Sequence, residues 1–363
     1  MQWQKFFRQN LEAVQPYQPG LREEQVRNIA KVDTIYKLSS NENPLPPFPS
    51  AIQAMADSLT KLNEYPDGSA YHLTQLLSQH YNVPAEQIIL GNGSNELIDL
   101  IAQSCLEPGD NVVYCAPSFT VYQSSALIAG ADIITSPVLP DGSYDLPAIK
   151  AAINEHTKIV YVCTPNNPTG GIVTHKDLAA FLVDLPEHVL VVVDAAYEEF
   201  IVDPDAALPL EFFDGIRPYV ILRTFSKMYS LAGIRMGYGF APEPIVENVS
   251  KVRNPFNVNS VAQAAAQASL DDAAEVERRR QANADGRNRL YDCFSNLGIS
   301  HIPSQGNFIW IEVPDAQKTF EDLLTNGIIV RSFGHPHGLR VGVGDEAGVS
   351  ATIQVFEKLF SLV

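Results

Sequence analysis

Short runs of β-branched and aromatic residues alternate along this chain with segments whose apolar residues recur every three or four positions. Seven such runs are QIIL, NVVYCAP, DIITSPV, KIVYVCTP, VLVVVDAAY, YVILRTFS and MGYGFA. Strands that alternate with helices build parallel sheets covered by helices on both faces. The pattern therefore predicts an α/β fold, with a large, doubly wound, mostly parallel sheet in a domain over residues 48–253.

The rest of the chain has a different pattern. The strand-like runs NFIWIEV, GIIVRSF and LRVGVG, followed by the helical TIQVFEKLF, predict a smaller α+β domain over residues 254–363. At its start, SVAQAAAQASL predicts a partly buried helix and the charged EVERRRQANADGRNRL a mostly solvated one. Residues 1–47, rich in proline and polar groups, are predicted to form an N-terminal arm that joins the small domain.

Charge and cysteine content argue against several classes of protein. The 363 residues include 42 acidic and 25 basic side chains, a net charge of -17, so binding to nucleic acid or to an anionic membrane is not expected. The N-terminus MQWQKFFRQN lacks the apolar core of a signal peptide. The four cysteines, Cys105, Cys115, Cys163 and Cys293, form no C-x-x-C pair and have no histidine at ligand spacing. We expect buried, reduced cysteines in a cytoplasmic protein without a metal site.

Polar side chains follow three of the strand runs at the point where each run ends. Asn167 follows KIVYVCTP, Asp194 closes VLVVVD, and Lys227 follows YVILRTFS. Ligands of open α/β sheets bind outside the carboxyl ends of the strands, so these residues are candidates for a ligand site. The alternatives are an ordinary Pro/Gly turn for TPNNPTG around Asn167 and a solvated surface position for Lys227.

The loop GNGSNE follows the first strand run and opens a helix near Ser94. Gly91 and Gly93 resemble the start of a dinucleotide-binding motif, but Glu96 stands where its third glycine belongs. What remains is a small-residue turn at a helix N-terminus, whose free N–H groups suit a single phosphate. An ordinary strand-to-helix turn is the alternative.

Asp194 closes an apolar run, where burying an unpaired carboxylate is costly. It could be a cap or part of a structural salt bridge, or it could hold a cationic nitrogen of a ligand. In the last case Tyr197, three residues later, could reach an oxygen of the same ligand.

The surroundings of Lys227 indicate which ligand this is. Thr224 and Ser226 flank the lysine, and Arg235 follows eight residues later. A ligand with one phosphate, one basic ring nitrogen, one phenolic oxygen and one aldehyde would use these groups, the helix start and the strand-end carboxylate together. Pyridoxal 5'-phosphate is such a ligand, with Lys227 as its Schiff-base partner.

The motifs YPDG, GNGSNE, CTPNNPTG, VVVDAAYEEF and RTFSKMYSLAGIRMGYG, in this order and spacing, resemble the fold type I aminotransferases, which share the aspartate aminotransferase fold. More narrowly, PYQPG, LSSNENPLPP, RNPFNVN, GIIVR and GLRVGVG resemble the histidinol-phosphate aminotransferases, over nearly the whole chain. The resemblance implies transamination between L-histidinol phosphate and 2-oxoglutarate, in histidine biosynthesis.

The resemblance also implies roles for the matching residues. Lys227 would hold the cofactor and shuttle a proton at the substrate Cα, and Asp194 would keep the ring nitrogen protonated. Tyr197 and Asn167 would hydrogen-bond the phenolic oxygen, and Phe119 would stack on the ring. The cofactor phosphate would be bound by Gly93, Ser94, Asn95, Thr224, Ser226 and Arg235.

The resemblance further implies small-molecule substrates and a homodimer whose active sites lie at the subunit interface. Tyr65 of EYPDG would reach the phosphate of the neighbouring subunit's cofactor. Arg340 of GLRVGVG matches the arginine that grips the anionic group of the substrate.

Charge on the substrate predicts a second cation. Histidinol phosphate presents a phosphate monoester with nearly two negative charges, where an ordinary amino acid presents one carboxylate. Arg331, nine residues before Arg340, would supply that cation if the strand that ends in GIIVR pairs with the strand GLRVGVG. Tyr17 and Asn43 would complete the binding site for the substrate phosphate. A surface salt bridge is the alternative for Arg331.

The sequence leaves other functions open. A nicotinamide-dependent oxidoreductase would need the third glycine and an acidic residue after the second strand, and a regulatory module would be expected to have lost Lys227 or Asp194. Within the fold, a decarboxylase of a phosphorylated amino acid and an aromatic amino acid aminotransferase are the competitors. His335 and His337 are expected on a surface loop.

Overall fold

The computed structural model of the chain describes residues 3–361. Its α-helices are α1 (Glu23–Arg27), α2 (Pro49–Ser58), α3 (Tyr71–Tyr81), α4 (Ser94–Cys105), α5 (Thr120–Ala129), α6 (Leu146–Ala152), α7 (His175–Leu182), α8 (Glu243–Val252), α9 (Ser260–Leu270), α10 (Ala273–Asn296), α11 (Ala316–Thr325) and α12 (Glu346–Phe360). Its strands are β1 (Tyr36–Lys37), β2 (Ile88–Gly91), β3 (Asn111–Ala116), β4 (Asp132–Pro137), β5 (Thr157–Cys163), β6 (Leu190–Asp194), β7 (Tyr219–Thr224), β8 (Gly237–Phe240), β9 (Ser300–Ile302), β10 (Phe308–Glu312), β11 (Ile328–Ile329), β12 (Arg331–Ser332) and β13 (Gly338–Gly342).

The large sheet contains all seven predicted strand runs, in the order β2-β8-β7-β6-β5-β3-β4. Six strands of this sheet run in one direction and β8 runs in the opposite direction, so the predicted mostly parallel α/β architecture is confirmed. Strands β6 and β7 are buried along their whole length, which explains their continuous apolar runs. Because β5, β6 and β7 are adjacent and parallel, their carboxyl ends meet at one edge.

A second, antiparallel sheet forms near the C-terminus, in the order β12-β13-β10-β9. Ile309, Ile311 and Val341 pack from one face into an apolar cluster with residues of α10 and α12. Side chains alternate between the faces of a strand, so Phe308 and Arg340 lie on the other face. That face meets the carboxyl edge of the large sheet, where Arg340 donates to Asn167 and the Phe308 ring meets the Tyr197 ring edge-on at 5.0 Å.

The N-terminal residues contact elements from the C-terminal part of the chain and a helix that packs on the large sheet. Strand β1 pairs in parallel with β11, beside the C-terminal sheet, and Val26 of α1 packs on Leu324 of α11. Nearer the N-terminus, Asn10 donates hydrogen bonds to the carbonyls of Leu127 and Ile128 at the end of α5. The predicted boundaries of the arm and the two domains stay a prediction.

Helix α10 differs from the expectation of a mostly solvated helix. Arg279, Asn283 and Arg287 are only 4%, 8% and 3% exposed, although the sequence around them is strongly charged. The prediction was wrong because side chains on this face donate to main-chain carbonyls of neighbouring loops, and a polar group that finds such partners can be buried. Helix α9 is partly buried, as predicted.

Within residues 3–361, no helix combines the length and the apolar character needed to cross a membrane. The same part of the chain contains no cluster of three or more His, Cys, Asp or Glu side chains placed to hold a metal ion. All four cysteines are free; Cys105 is partly buried and the other three are buried.

Candidate active site

The carboxyl ends of β5, β6 and β7 carry the three loops singled out in the sequence. Cys163, at the end of β5, lies opposite Asp194 in the sheet register, and Asp194 lies opposite Leu222 of β7. Lys227 follows β7 closely enough to interact electrostatically with Asp194. Asn167 lies in the loop after β5 and is 8% exposed. The structure thus gathers the predicted loops at one edge of the sheet.

Asp194 is a buried carboxylate, 3% exposed, at the end of a buried strand. The Tyr122 hydroxyl donates to its Oδ2 at 2.7 Å, and the Ala196 N–H donates to its Oδ1 at 3.2 Å. Burial raises the pKa of Asp194, and these two hydrogen bonds oppose the rise. No basic side chain within residues 3–361 forms an ion pair with it, so the structure gives no support to the salt-bridge alternative. Sequence reasoning missed Tyr122, because a tyrosine within a largely apolar helix carries no functional signal.

Tyr197 is held by an asparagine from the N-terminal segment. Its hydroxyl accepts a hydrogen bond from Asn41 Nδ2 at 2.9 Å. Asn41 has a left-handed backbone, with φ 54°, and its carbonyl accepts from Asn307 Nδ2 at 3.0 Å. Asn43 of the same motif, predicted as part of the substrate site, donates through its amide to the carbonyl of Met228 at 3.1 Å. Asparagine tolerates left-handed backbone, yet nothing in SSNEN shows which of its two asparagines adopts it.

Lys227 is placed by the same N-terminal segment. Its Nζ donates to the Ser40 carbonyl at 3.0 Å and lies 5.7 Å from the centre of the Tyr197 ring. Burial, together with the nearby Arg340 guanidinium, lowers the pKa of Lys227 to about 7, although Glu42 acts in the opposite direction. A large fraction of this amine is therefore neutral near pH 7, as a nucleophile or a proton acceptor requires.

The start of α4 forms a cradle with Arg235 above it. The helix begins at Ser94, as predicted, and the free N–H groups of its first turn lie at the carboxyl end of β2. A Cβ atom on Gly93, whose φ is 83°, would lie 2.2 Å from Arg235 Nη2. A Cβ atom on Gly237 would lie 2.3 Å from the Ser94 nitrogen. Arg235 also donates to Ser226 Oγ at 3.4 Å, which links the cradle to the turn that carries the lysine.

The remaining predicted phosphate ligands lie next to this cradle. Thr224, the last residue of β7, accepts a hydrogen bond from the Ser226 N–H at 3.1 Å and donates to the Met236 carbonyl at 3.3 Å. Asn95 is the second residue of α4 and is partly exposed. Hydroxyls, helix N–H groups and one guanidinium are donors that suit a phosphate.

Arg331 and Arg340 face each other directly across β12 and β13, so the strand pairing required for a second cation is present. Arg340 is 6% exposed and donates to Asn167 Oδ1 and, at 2.6 Å, to the Ser39 carbonyl. Its Nε is buried without a hydrogen-bond partner among the described residues. Burial lowers the pKa of Arg340 to about 10, which leaves it charged at neutral pH.

Arg331 contacts the N-terminal segment. It donates to the Gln18 carbonyl at 2.9 Å, and its guanidinium carbon lies 5.7 Å from the centre of the Tyr17 ring. The Phe333 ring lies near both arginines, 5.8 Å from Arg331 and 5.4 Å from Arg340. Arg331 has no acidic partner within residues 3–361, so the surface salt bridge finds no support. Tyr17 is 67% exposed and packs on the solvent side of the Arg331 guanidinium.

Two of the predicted cofactor residues lie at the margin of the site. Phe119 precedes α5, and its ring meets Tyr122 edge-on at 5.7 Å, beside the partner of the buried carboxylate. Tyr65 is 82% exposed, and its ring stacks on Phe256 at 4.7 Å rather than on a residue of the site.

The two histidines lie on the exposed loop after β12, as expected. His335 Nδ1 accepts the Gly338 N–H at 2.8 Å and the His337 N–H at 3.2 Å. His337 Nδ1 lies 3.0 Å from the Pro314 carbonyl. Both rings therefore organise the loop through contacts with the main chain.

Comparison with known proteins gives matches over nearly the whole chain. The family described as aminotransferase class I and II matches residues 33–356. A histidinol-phosphate aminotransferase of Moorella thermoacetica is 40% identical over 342 residues, 93% of this chain and 88% of that protein. Another, from Akkermansia muciniphila, is 38% identical over 99% of this chain and 100% of that protein. The crystal structure of histidinol-phosphate aminotransferase from Sinorhizobium meliloti, in complex with pyridoxal-5'-phosphate, superposes with a TM-score of 0.88, 25% identity and coverage of 97% and 98%.

Proposed function

The chain belongs to the class I and II aminotransferase family, and we propose that it transfers an amino group between L-histidinol phosphate and 2-oxoglutarate with pyridoxal 5'-phosphate as cofactor. The products would be imidazole acetol phosphate and L-glutamate, in histidine biosynthesis. The observation that carries the choice of substrate is the pair of arginines facing each other across β12 and β13.

The donor set of the site fits pyridoxal phosphate. The Asp194 carboxylate is buried without an ion-pair partner in the described chain, which suits a cationic ring nitrogen. Glycine at position 93 leaves room for Arg235 over the start of α4, which suits a phosphate. When bound, pyridoxal phosphate supplies a ring that withdraws electrons from the substrate carbon.

Each residue of the site would have a defined role in binding the cofactor or in proton transfer. Lys227 would hold the cofactor covalently and then move a proton at the substrate Cα, for which its lowered pKa suits it. Asp194 would keep the pyridine nitrogen protonated. Tyr197 and Asn167 would hydrogen-bond the phenolic oxygen, and Phe119 would cover one face of the ring. The phosphate would be held by Gly93, Ser94, Asn95, Thr224, Ser226 and Arg235.

The arginine pair would hold the anionic end of the substrate. Arg340 alone can bind one carboxylate through a bidentate pair. A phosphate monoester carries nearly two negative charges, and Arg331 supplies a second cation beside the first. Tyr17 packs against Arg331 on the outer side, and Asn43 supports the turn after Lys227 from the N-terminal segment. The same arginines would accept the two carboxylates of 2-oxoglutarate.

A homodimer with shared active sites is part of the proposal. Tyr65 is exposed and lies in a stretch with further exposed apolar side chains, namely Ile52, Leu59, Leu62 and Tyr71. Covering these side chains with a second copy would remove apolar surface from water and bring Tyr65 to the neighbouring cofactor phosphate. A cytoplasmic location belongs to the same proposal and agrees with the free cysteines.

A panel of amino donors tests the function. The reconstituted protein should show its highest kcat/KM with L-histidinol phosphate as donor and 2-oxoglutarate as acceptor. A higher kcat/KM with phenylalanine or tyrosine would establish an aromatic amino acid aminotransferase instead. Release of carbon dioxide from a phosphorylated amino acid would establish a decarboxylase.

A further inference from the structure

We propose that Arg279 of α10 is a positioning residue for Lys227, because it fixes the turn that follows the lysine and the N-terminal segment that receives the lysine's amine. The inference rests on the role proposed for Lys227. Arg279 contacts neither the predicted cofactor ligands nor the arginine pair, so it would act through the backbone that carries the lysine.

The Arg279 guanidinium is buried, 4% exposed, and all three of its nitrogens have partners. Nε donates to Glu275 Oε1 at 2.7 Å, one turn earlier in α10. Nη1 donates to Ser230 Oγ at 2.5 Å, with a longer contact to the Met228 carbonyl at 3.4 Å. Nη2 donates to the Pro46 carbonyl at 2.8 Å. One planar, five-donor group thus joins three separate segments through three different nitrogens, whereas a lysine has all its donors on a single nitrogen.

The turn that Arg279 holds begins at the lysine itself. The Ser230 N–H donates to the Lys227 carbonyl at 3.2 Å and closes the turn. Ser230 has a left-handed backbone, with φ 57°, a conformation that residues with a side chain adopt when their surroundings hold them there. The Met228 carbonyl also accepts from Asn43, so the residue after the lysine is held from two sides.

The other end of the guanidinium holds the N-terminal segment. Besides the Pro46 carbonyl, Arg279 lies over the Phe48 ring, with its guanidinium carbon 4.3 Å from the ring centre. Ser40, whose carbonyl accepts the Lys227 amine, belongs to the same segment. Arg279 therefore fixes the donor side and the acceptor side of that hydrogen bond relative to each other.

Two further arginines of α10 make equivalent contacts with the other loops of the site. Arg280 Nε donates at 2.7 Å to the carbonyl of Glu199, two residues after Tyr197. Arg287 Nη1 donates at 2.9 Å to the carbonyl of Gly306, which precedes the asparagine that holds Asn41. The helix is a scaffold for the site loops, and Arg279 is the member of this set that reaches the lysine turn.

Loss of Arg279 should expose the lysine amine to water. The charged groups that act most strongly on Lys227 are Arg340 and Arg235, which lower its pKa, and Glu42 and Asp194, which raise it. Arg279 is not among them, so its effect on the lysine would come from geometry. A more hydrated amine has a pKa closer to its ordinary value, so the pKa of Lys227 should rise.

The test uses the apoprotein, so that it does not depend on activity. The reactivity of Lys227 toward acetic anhydride is followed against pH by peptide mass spectrometry, in the wild type and in Arg279→Met, Arg279→Lys and Arg278→Met.

Arg278 is the matched control, because it neighbours Arg279 and shares Glu275 but is exposed. The midpoint near pH 7 should move up by at least one pH unit in both Arg279 variants and stay in place in Arg278→Met. Arg279→Lys keeps the charge and loses the three-way contact, so its altered midpoint separates geometry from charge.

Reconstituted enzyme gives a second readout. In Arg279→Met, kcat for histidinol phosphate should fall at least tenfold with KM changed less than threefold, and Arg278→Met should stay within about twofold of the wild type.

A folded Arg279→Met with the labelling midpoint of Arg278→Met would overturn the inference. If Arg279→Met does not fold, Ser230→Ala decides, because it removes only one contact of the turn; an unchanged midpoint there would overturn the inference as well. A wild type that takes up no cofactor on Lys227 would refute the proposed function, while the midpoints in the apoprotein would still test the positioning.

Discussion

A lysine and a carboxylate share one buried site, and their surroundings shift their pKa values in opposite directions. Burial raises the pKa of Asp194 and lowers that of Lys227 to about 7. Neither side chain has an ion-pair partner within residues 3–361. The Asp194 carboxylate is therefore available to a cationic group of a ligand, and the Lys227 amine, neutral in large part near pH 7, is available to an electrophilic carbon of the same ligand.

The lowered pKa of Lys227 makes a prediction about the stability of the apoprotein. A lysine with a folded-state pKa near 7 and an ordinary pKa of 10.5 destabilises the folded state fully below pH 7. This destabilisation fades as pH rises from about 7 towards 10.5, because the folded state then binds fewer protons than the unfolded state. A pKa difference of one between the folded and unfolded states corresponds to about 1.4 kcal/mol of unfolding free energy. Lys227→Met should thus be more stable than the wild type at pH 6, and the difference should shrink by pH 9.5.

Urea unfolding of both apoproteins at several pH values measures this difference. Lys176→Met, at an exposed position of α7, is the control and should change the free energy of unfolding equally at every pH. A difference for Lys227→Met that does not vary with pH would show that the lysine is not under strain from burial.

Residues at strand ends could be predicted from the sequence, and residues that reach them from elsewhere could not. Asp194 closes a buried strand and Lys227 comes three residues after the end of another, so the strand-end rule located both. Tyr122 and Asn41 hydrogen-bond the site from a helix and from the N-terminal segment. Such contacts depend on tertiary packing, which leaves no local pattern.

At the scale of elements, the pairing of β12 with β13 places Arg331 beside Arg340. We expect Arg331→Ala to raise KM for histidinol phosphate far more than KM for phenylalanine. A hydrogen bond to a charged group contributes about 1.5–3 kcal/mol, which corresponds to a rise of roughly 10- to 150-fold. Steady-state kinetics with both donors measure the effect.

Arg289→Ala is the matched control, since this arginine pairs with Glu346 away from the site. It should leave both KM values within about twofold of the wild type. An equal rise of KM for both donors in Arg331→Ala would assign Arg331 to structure rather than to recognition of the phosphate.

Helix α10 shows where charge patterns mislead. Its arginines, read from the sequence, suggest a solvated face, and Arg278 fits that description. Arg279 and Arg287 are buried because loops distant in sequence present carbonyl groups to them. A charge pattern reports the side chains of one helix and carries no information about the acceptors that surround it.

At the scale of the whole molecule, all seven strands of the large sheet were predictable because each contains a short run of β-branched, aromatic or other apolar residues, and helical segments separate most of these runs. The order of the strands was not, and neither was the antiparallel β8 at its place between β2 and β7. Strand order depends on pairing between segments far apart in the chain, and a single sequence does not display it. The pattern of apolar runs predicted that the chain forms two sheets. That both sheets contribute residues to one site is visible only in the structure.

The proposed dimer makes a prediction at this scale. Sedimentation should show a species of twice the chain mass, and Tyr65→Phe should bind pyridoxal phosphate more weakly without dissociating, because only the hydroxyl that would reach the partner's cofactor is lost. Tyr71→Phe, another exposed tyrosine of the same stretch, is the control and should bind cofactor like the wild type. A fully active monomer would contradict the shared site.

The central claim is that Lys227 holds the cofactor, and borohydride reduction followed by peptide mapping tests it most directly. Reduction of the reconstituted protein should fix pyridoxal phosphate on the peptide that contains Lys227, and the product should be absent from Lys227→Met. Label recovered on a different lysine, or no label after reconstitution, would contradict the account.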